Sequence, residues 1–160
     1  MKPLISNIVV AISGSDASIN AAKYAITLAR QYGCSLTAVY VVDTATLRRL
    51  VITNIFIEDE SADYEKSLEE NGERYLKYVR DLASQKSLKI ETLLRKGAIY
   101  TEILRLADEK SADLIILGGW ERQRQGRDII SEAHKEILVN AKCSVLVAKE
   151  EGIEKIFSRL

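Results

Sequence analysis

The sequence lacks most of the features that would announce a specialised chemistry. It carries no charge of one sign in excess, because 23 lysines and arginines face 23 aspartates and glutamates. A general nucleic-acid or acidic-membrane binder needs a basic surplus, so neither partner is expected. No stretch reaches about 18 consecutive apolar residues, the minimum for a membrane span. The first apolar run, Ile8–Ile12, is also too short for a signal-peptide core, and a soluble, cytoplasmic protein is expected. There are only two cysteines. Cys34 and Cys143 each stand at the threshold of an apolar run, and with no export signal they read as packed free thiols rather than a disulfide. The one histidine, His134, falls in a helical pattern with no metal-ligand spacing around it, and it reads as a surface or packing residue.

What the sequence does have is a set of short, nearly continuous apolar runs. Ile8–Ile12, Leu36–Val42, Leu114–Leu117 and Ser144–Ala148 are rich in valine and isoleucine, the pattern of strands covered on both faces. A fifth run, Lys89–Leu94, alternates partly and reads as an edge strand. Between the runs lie helical patterns. Ile19, Ala22, Ile26 and Ala29 place one apolar stripe on Asp16–Tyr32, with Ser15 or Asp16 as cap and Gly33 as the residue that ends it. Further helices are expected from about Ser61 to Lys86, over Thr101–Lys110, and around Ile130, Ala133, Ile137 and Ala141. The stretch Asp43–Glu60 is irregular and reads as either a mobile loop or a short helix. The alternation predicts an α/β fold: a single-domain open five-stranded mostly parallel sheet with helices on both faces, a Rossmann-type three-layer sandwich. One domain is expected over 1–149. The tail 150–160 would belong to it as a short capping helix, or as a cover for the last strand.

In such a sheet, ligands bind beyond the carboxyl ends of the strands, where the strand order reverses. Two loops there attract attention. Ser13-Gly14-Ser15-Asp16 precedes a helix N-terminus, where backbone N–H groups can approach an anion. The loop after Leu117 begins Gly118-Gly119-Trp120 and carries Arg122, Arg124 and Arg127. Taken singly, each signal is weak, since a glycine after a strand is more often turn chemistry.

The runs Leu114–Gly118 and Ala141–Val147, with the opening Val9–Ser18, the second strand Ala38–Asp43 and the pair Lys96-Gly97, resemble the universal stress protein family over about residues 5–149. The resemblance implies the fold of adenine-nucleotide hydrolases, a stress-response or regulatory role, and homodimers paired through the last strand, here Ser144–Ala148; the physiological protein partner is unknown. ATP-binding relatives carry Gly-x2-Gly-x9-Gly-Ser/Thr after the fourth strand. Here Gly118 keeps the first position, but Glu121, Ser131 and Glu132 stand at the others. The family aspartate that ends the first strand is Ser13, and Val41 matches the position whose backbone meets adenine. Ser13, Gly14, Val41, Gly118, Trp120, Arg127 and Ser131 are thus the candidates for a vestigial nucleotide site.

The departures work against a triphosphate. Two like charges 4 Å apart repel by about 4 kcal/mol at an effective dielectric of 20, and about 1 kcal/mol in water. Glu121, Asp128 and Glu132 offset the three arginines. Trp120 either stacks on a base or fills the vacated cavity. The expectation is a non-catalytic stress protein with no tightly bound cofactor, with ATP or AMP as weak ligands. The alternative is an ATP or AMP sensor with an altered phosphate loop. An ATP-cleaving enzyme comes third: Ser13–Ser18 is faintly similar to the Ser-Gly-Gly-x-Asp-Ser loop of ATP pyrophosphatases, but Ser15 and Ala17 replace two of its residues. No Ser/His/Asp set gathers at one loop cluster in the sequence.

Overall fold

Five strands run parallel in the order β3-β2-β1-β4-β5. The structure, a computed structural model, describes residues 1–119, 131–149 and 151–160. In chain order the elements are β1 (Asn7–Ile12), α1 (Asp16–Tyr32), β2 (Ser35–Asp43), α2 (Thr44–Ile52), α3 (Glu58–Gln85), β3 (Glu91–Gly97), α4 (Ile99–Glu109), β4 (Leu114–Gly118), α5 (Glu132–Asn140), β5 (Ser144–Ala148) and α6 (Ile153–Ser158). The predicted α/β sandwich is the observed fold. One core lies between the sheet and α1, α3 and α6, built on Val10, Ile116, Ala25, Ile26 and Leu76. The other lies between the sheet and α4 and α5, built on Val9, Val39, Ile115, Leu106 and Ile137. Adjacent residues of β1 and β4 thus feed opposite faces, and this is why those strands read as unbroken apolar runs.

Several local expectations hold and several shift. Ser15 caps α1, its Oγ accepting from the Ser18 amide at 3.1 Å, and Gly33 ends the helix at φ 68°. The undecided stretch after Asp43 is a helix, α2, capped by the Asp43 carboxylate accepting from the Thr46 amide at 3.0 Å. The edge strand starts two residues and ends three residues later than its bounds predict, because pairing with β2 carries it to Gly97 opposite Asp43. The tail forms α6, which packs on α1 and buries Ile153 and Phe157, Phe157 joining the core on that face of the sheet. Lys86 and Lys23 lie 4.8 Å and 6.0 Å from the Phe157 ring centroid, close enough for cation–π attraction. Both cysteines are free thiols. Among the described residues, no helix is long and apolar enough to cross a membrane.

The N-terminal entry to β1 hangs on one carboxylate. Asp113 Oδ2 accepts from the amides of Ser6 at 2.8 Å and Asn7 at 3.0 Å, and these two bonds hold its pKa below the ordinary aspartate value. A carboxyl lowered in this way stabilises the fold above its unfolded pKa, and the contribution disappears as pH falls through the folded value. Acid unfolding below about pH 4 is therefore expected to be less steep in Asp113→Asn. Denaturant midpoints measured across pH 2–6 check this; curves that superimpose after normalisation would remove Asp113 from the account.

Candidate functional site

The strand order reverses between β1 and β4, and the crevice expected at such a switch point is present. A cleft of about 390 Å³ opens over the carboxyl ends of β1, β2 and β4, near the lower end of the range for small-ligand sites. One side is apolar, formed by Val39 and Val41 of β2, Ile103 of α4, and Ala133 and Ile137 of α5. The other side is formed by hydroxyls and rings, with Ser13, Ser15, Ser18 and Tyr40 along it.

The β1–α1 turn owes its shape to small residues. Gly14 has φ +83°, and a Cβ there would lie 2.5 Å from the Tyr75 ring. Tyr75 in turn stacks on Tyr40, with centroids 6.4 Å apart and planes 11° from parallel. Burial, reinforced by Tyr75 and Tyr64, pushes the Tyr40 phenol above its usual pKa, so it stays neutral. The turn serines bond mainly to one another: Ser13 Oγ lies 3.0 Å from Ser15 Oγ, and Ser18 Oγ donates to the Ser15 carbonyl at 2.9 Å. They present hydroxyls to the cleft, but no charge.

At the β4 exit, Gly118 packs directly on α1. A Cβ on it would sit 2.8 Å from the Ala17 carbonyl carbon and oxygen and 2.9 Å from the Ser18 nitrogen. Close backbone approach thus requires the one motif glycine that the sequence retains, whether or not any phosphate is bound. Across the cleft, Ser131 caps α5, its Oγ accepting from the His134 amide at 3.1 Å. His134, read from the sequence as a surface or packing residue, is half-buried and hydrogen-bonded through both ring nitrogens. Its Nδ1 lies 2.6 Å from Ser131 Oγ and its Nε2 lies 3.0 Å from the Gly118 carbonyl oxygen, and the ring lines the cleft. Ser-x-x-His at a helix start was the local signal for the first contact; the second joins residues 16 apart and has no sequence signature.

Of the candidate residues, Ser13, Val41, Gly118 and Ser131 meet at this cleft, and Gly14 shapes its turn. Trp120 and Arg127 lie outside the described residues. Among the described residues lining the cleft there is no lysine or arginine, and Asp43 is the only carboxylate. Both Asp43 oxygens are engaged by Thr46, through its amide at 3.0 Å and its hydroxyl at 2.7 Å. Among the described residues no cluster of three or more His, Cys, Asp or Glu side chains could hold a metal.

Comparison with known proteins agrees with this geometry. The profile of the Universal stress protein family matches residues 5–149. A universal stress protein of Methanocaldococcus jannaschii is 32% identical over 147 residues, covering 92% of this chain and 84% of that protein. The structure of the universal stress protein UspA from Lactobacillus plantarum superposes with a TM-score of 0.74 at 21% identity, covering 92% of this chain and all of the other. A universal stress protein from Archaeoglobus fulgidus, solved in complex with dAMP, gives 0.60 at 18% identity, covering 92% and 100%. With the profile spanning nearly the whole sheet and a relative this similar along its length, the chain belongs to the universal stress protein family.

Proposed function

We propose that this stress-response protein holds an adenosine-type ligand, a nucleoside or nucleoside monophosphate, in the switch-point cleft without cleaving it, and that it takes ATP only weakly. The observation that carries the reading is the contrast between the two ends of the cleft. The part suited to a base and sugar is formed, with an apolar wall at Val39, Val41 and Ile103 opposite a row of hydroxyls. The part that would meet a triphosphate is poor in positive charge: the described lining holds no cation, and Glu132 puts a carboxylate in the first turn of α5, where the helix field would otherwise favour a phosphate. In the sequence, Glu121, Asp128 and Glu132 balance Arg122, Arg124 and Arg127. The Archaeoglobus relative solved with dAMP supports a monophosphate as the size of ligand. Pairing of two copies through β5, the last strand of the sheet, would set two clefts on one particle.

Calorimetric titration with adenosine, AMP and ATP tests this. AMP is expected to bind with a Kd between about 10 µM and 1 mM, equivalent to about 4–7 kcal/mol, and ATP at least about tenfold more weakly. Saturable ATP binding tighter than AMP binding, or ATP turnover that survives further purification, would overturn the reading.

A further inference from the structure

His134 and Ser131 form a pair that ligand binding does not require. The Gly118 carbonyl oxygen can only accept a hydrogen bond, so the Nε2 atom 3.0 Å away carries the imidazole proton. In the neutral ring Nδ1 presents its lone pair, and the Ser131 hydroxyl, 2.6 Å distant, can donate to it. One backbone carbonyl thus fixes both the tautomer of the ring and the direction of the hydroxyl. A hydroxyl held by a neutral imidazole, itself oriented by a third group, is the arrangement that activates a serine nucleophile. We propose that Ser131 and His134 act as nucleophile and general base towards small neutral carboxylic esters bound in the cleft.

The surroundings suit that chemistry. Ser131 is exposed and His134 is half-buried at the cleft wall, so the hydroxyl is accessible to an incoming carbonyl. The first-turn amides of Glu132 and Ala133 have no intrahelical acceptor and lie beside the nucleophile, where an oxyanion would form. Ala133, Ile137, Val41 and Ile103 offer an apolar wall to a short acyl chain. The Glu132 carboxylate in the same turn weighs against a polyanionic acyl substrate, and small uncharged esters suit the apolar wall best.

The steps balance with water as the only co-reactant. Ser131 Oγ forms a bond to the carbonyl carbon while its proton passes to His134 Nδ1. The ester C–O bond breaks, and that proton leaves with the alcohol. Water, deprotonated by the same Nδ1, then attacks the acyl-serine, releasing the carboxylic acid and restoring the hydroxyl. Because the orienting group is a neutral carbonyl rather than a carboxylate, the imidazolium formed in transit receives little stabilisation and both steps are slow; an ester with a good leaving group eases the first step alone, so the acyl-enzyme then accumulates.

The test uses the full chain with para-nitrophenyl acetate, and a fluorophosphonate as a second probe. A burst of nitrophenolate approaching one equivalent is expected, with the acetyl and phosphonyl adducts mapped to Ser131 by peptide mass spectrometry. His134→Gln is expected to slow the burst by about 10²-fold. Ser131→Asn keeps a competent helix cap while removing the nucleophile, and it is expected to abolish the adduct without loss of thermal stability. Adducts confined to lysines, tyrosines or the N-terminus, or a burst unchanged in Ser131→Asn, would overturn the proposal. So would an unaltered rate in His134→Gln.

Discussion

Gly118→Ala is expected to lower the melting temperature by about 10 °C. The new methyl would meet the carbonyl group of Ala17 and the nitrogen of Ser18 at 2.8–2.9 Å, a separation that real Cβ atoms do not show. All three opposing atoms are backbone in the first turn of α1, so no rotamer change relieves the contact, and β4 must move away from α1. Overpacking of this kind costs about 1–3 kcal/mol when side chains can yield, and here the upper end applies. For a chain of this size, about 3 kcal/mol corresponds to a shift of about 6–12 °C. Thermal denaturation followed by circular dichroism measures it, and a shift below about 2 °C would show that the strand exit is more yielding than its contacts imply. The result also bears on function. A glycine that packing alone requires is no sign that a phosphate loop has been kept, so the one motif position retained in the sequence says little about ATP.

Gly14→Ala is expected to be nearly as damaging, by two separable routes. Its φ of +83° places alanine in a left-handed conformation at a cost of about 1–2 kcal/mol. The added methyl would also lie 2.5 Å from the Tyr75 ring, which cannot tip freely because it stacks on the buried Tyr40; overpacking adds about 1–3 kcal/mol. A double-mutant cycle separates the two. In a Tyr75→Leu background the overpacking should vanish and the backbone strain remain, so the penalty for Gly14→Ala should fall to about half. Strict additivity, with a coupling below about 0.3 kcal/mol, would mean that the ring already yields and that strain alone accounts for the loss.

The fold was far more legible than the site. Runs such as Leu114–Leu117 are read correctly because a strand covered on both faces leaves a one-dimensional trace, and the Ser15 cap and Gly33 stop are local chemistry that neighbouring residues determine. β3 was misplaced because an edge strand takes its ends from its partner; nothing within residues 89–97 says that pairing runs on to Asp43. The Asp43–Glu60 stretch could not be assigned from periodicity alone, since a nine-residue helix gives a pattern little longer than a turn. At the site, Ser13, Val41, Gly118 and Ser131 were placed by resemblance, and they do lie around one cleft. The contacts of His134 were not legible, because one of them is to a carbonyl 16 residues away. The ring's proton position follows from tertiary contact and from nothing in its helix. Trp120 and Arg127 lie outside the described residues.

The two margins of the sheet are unlike. β3 carries Glu91, Arg95 and Lys96, each already engaged by a charged neighbour on α3, α4 or the residue just after α4, and such ionic side chains discourage a further strand. β5 offers Ser144, Val145, Leu146, Val147 and Ala148 with no charge among them. A particle with a single adhesive rim behaves like a monofunctional monomer in polymer chemistry: it couples once and the chain terminates. Self-association through β5 would therefore be capped at pairs by the molecule's own asymmetry, and a fibre could not grow from it unless the opposite rim first lost its ions.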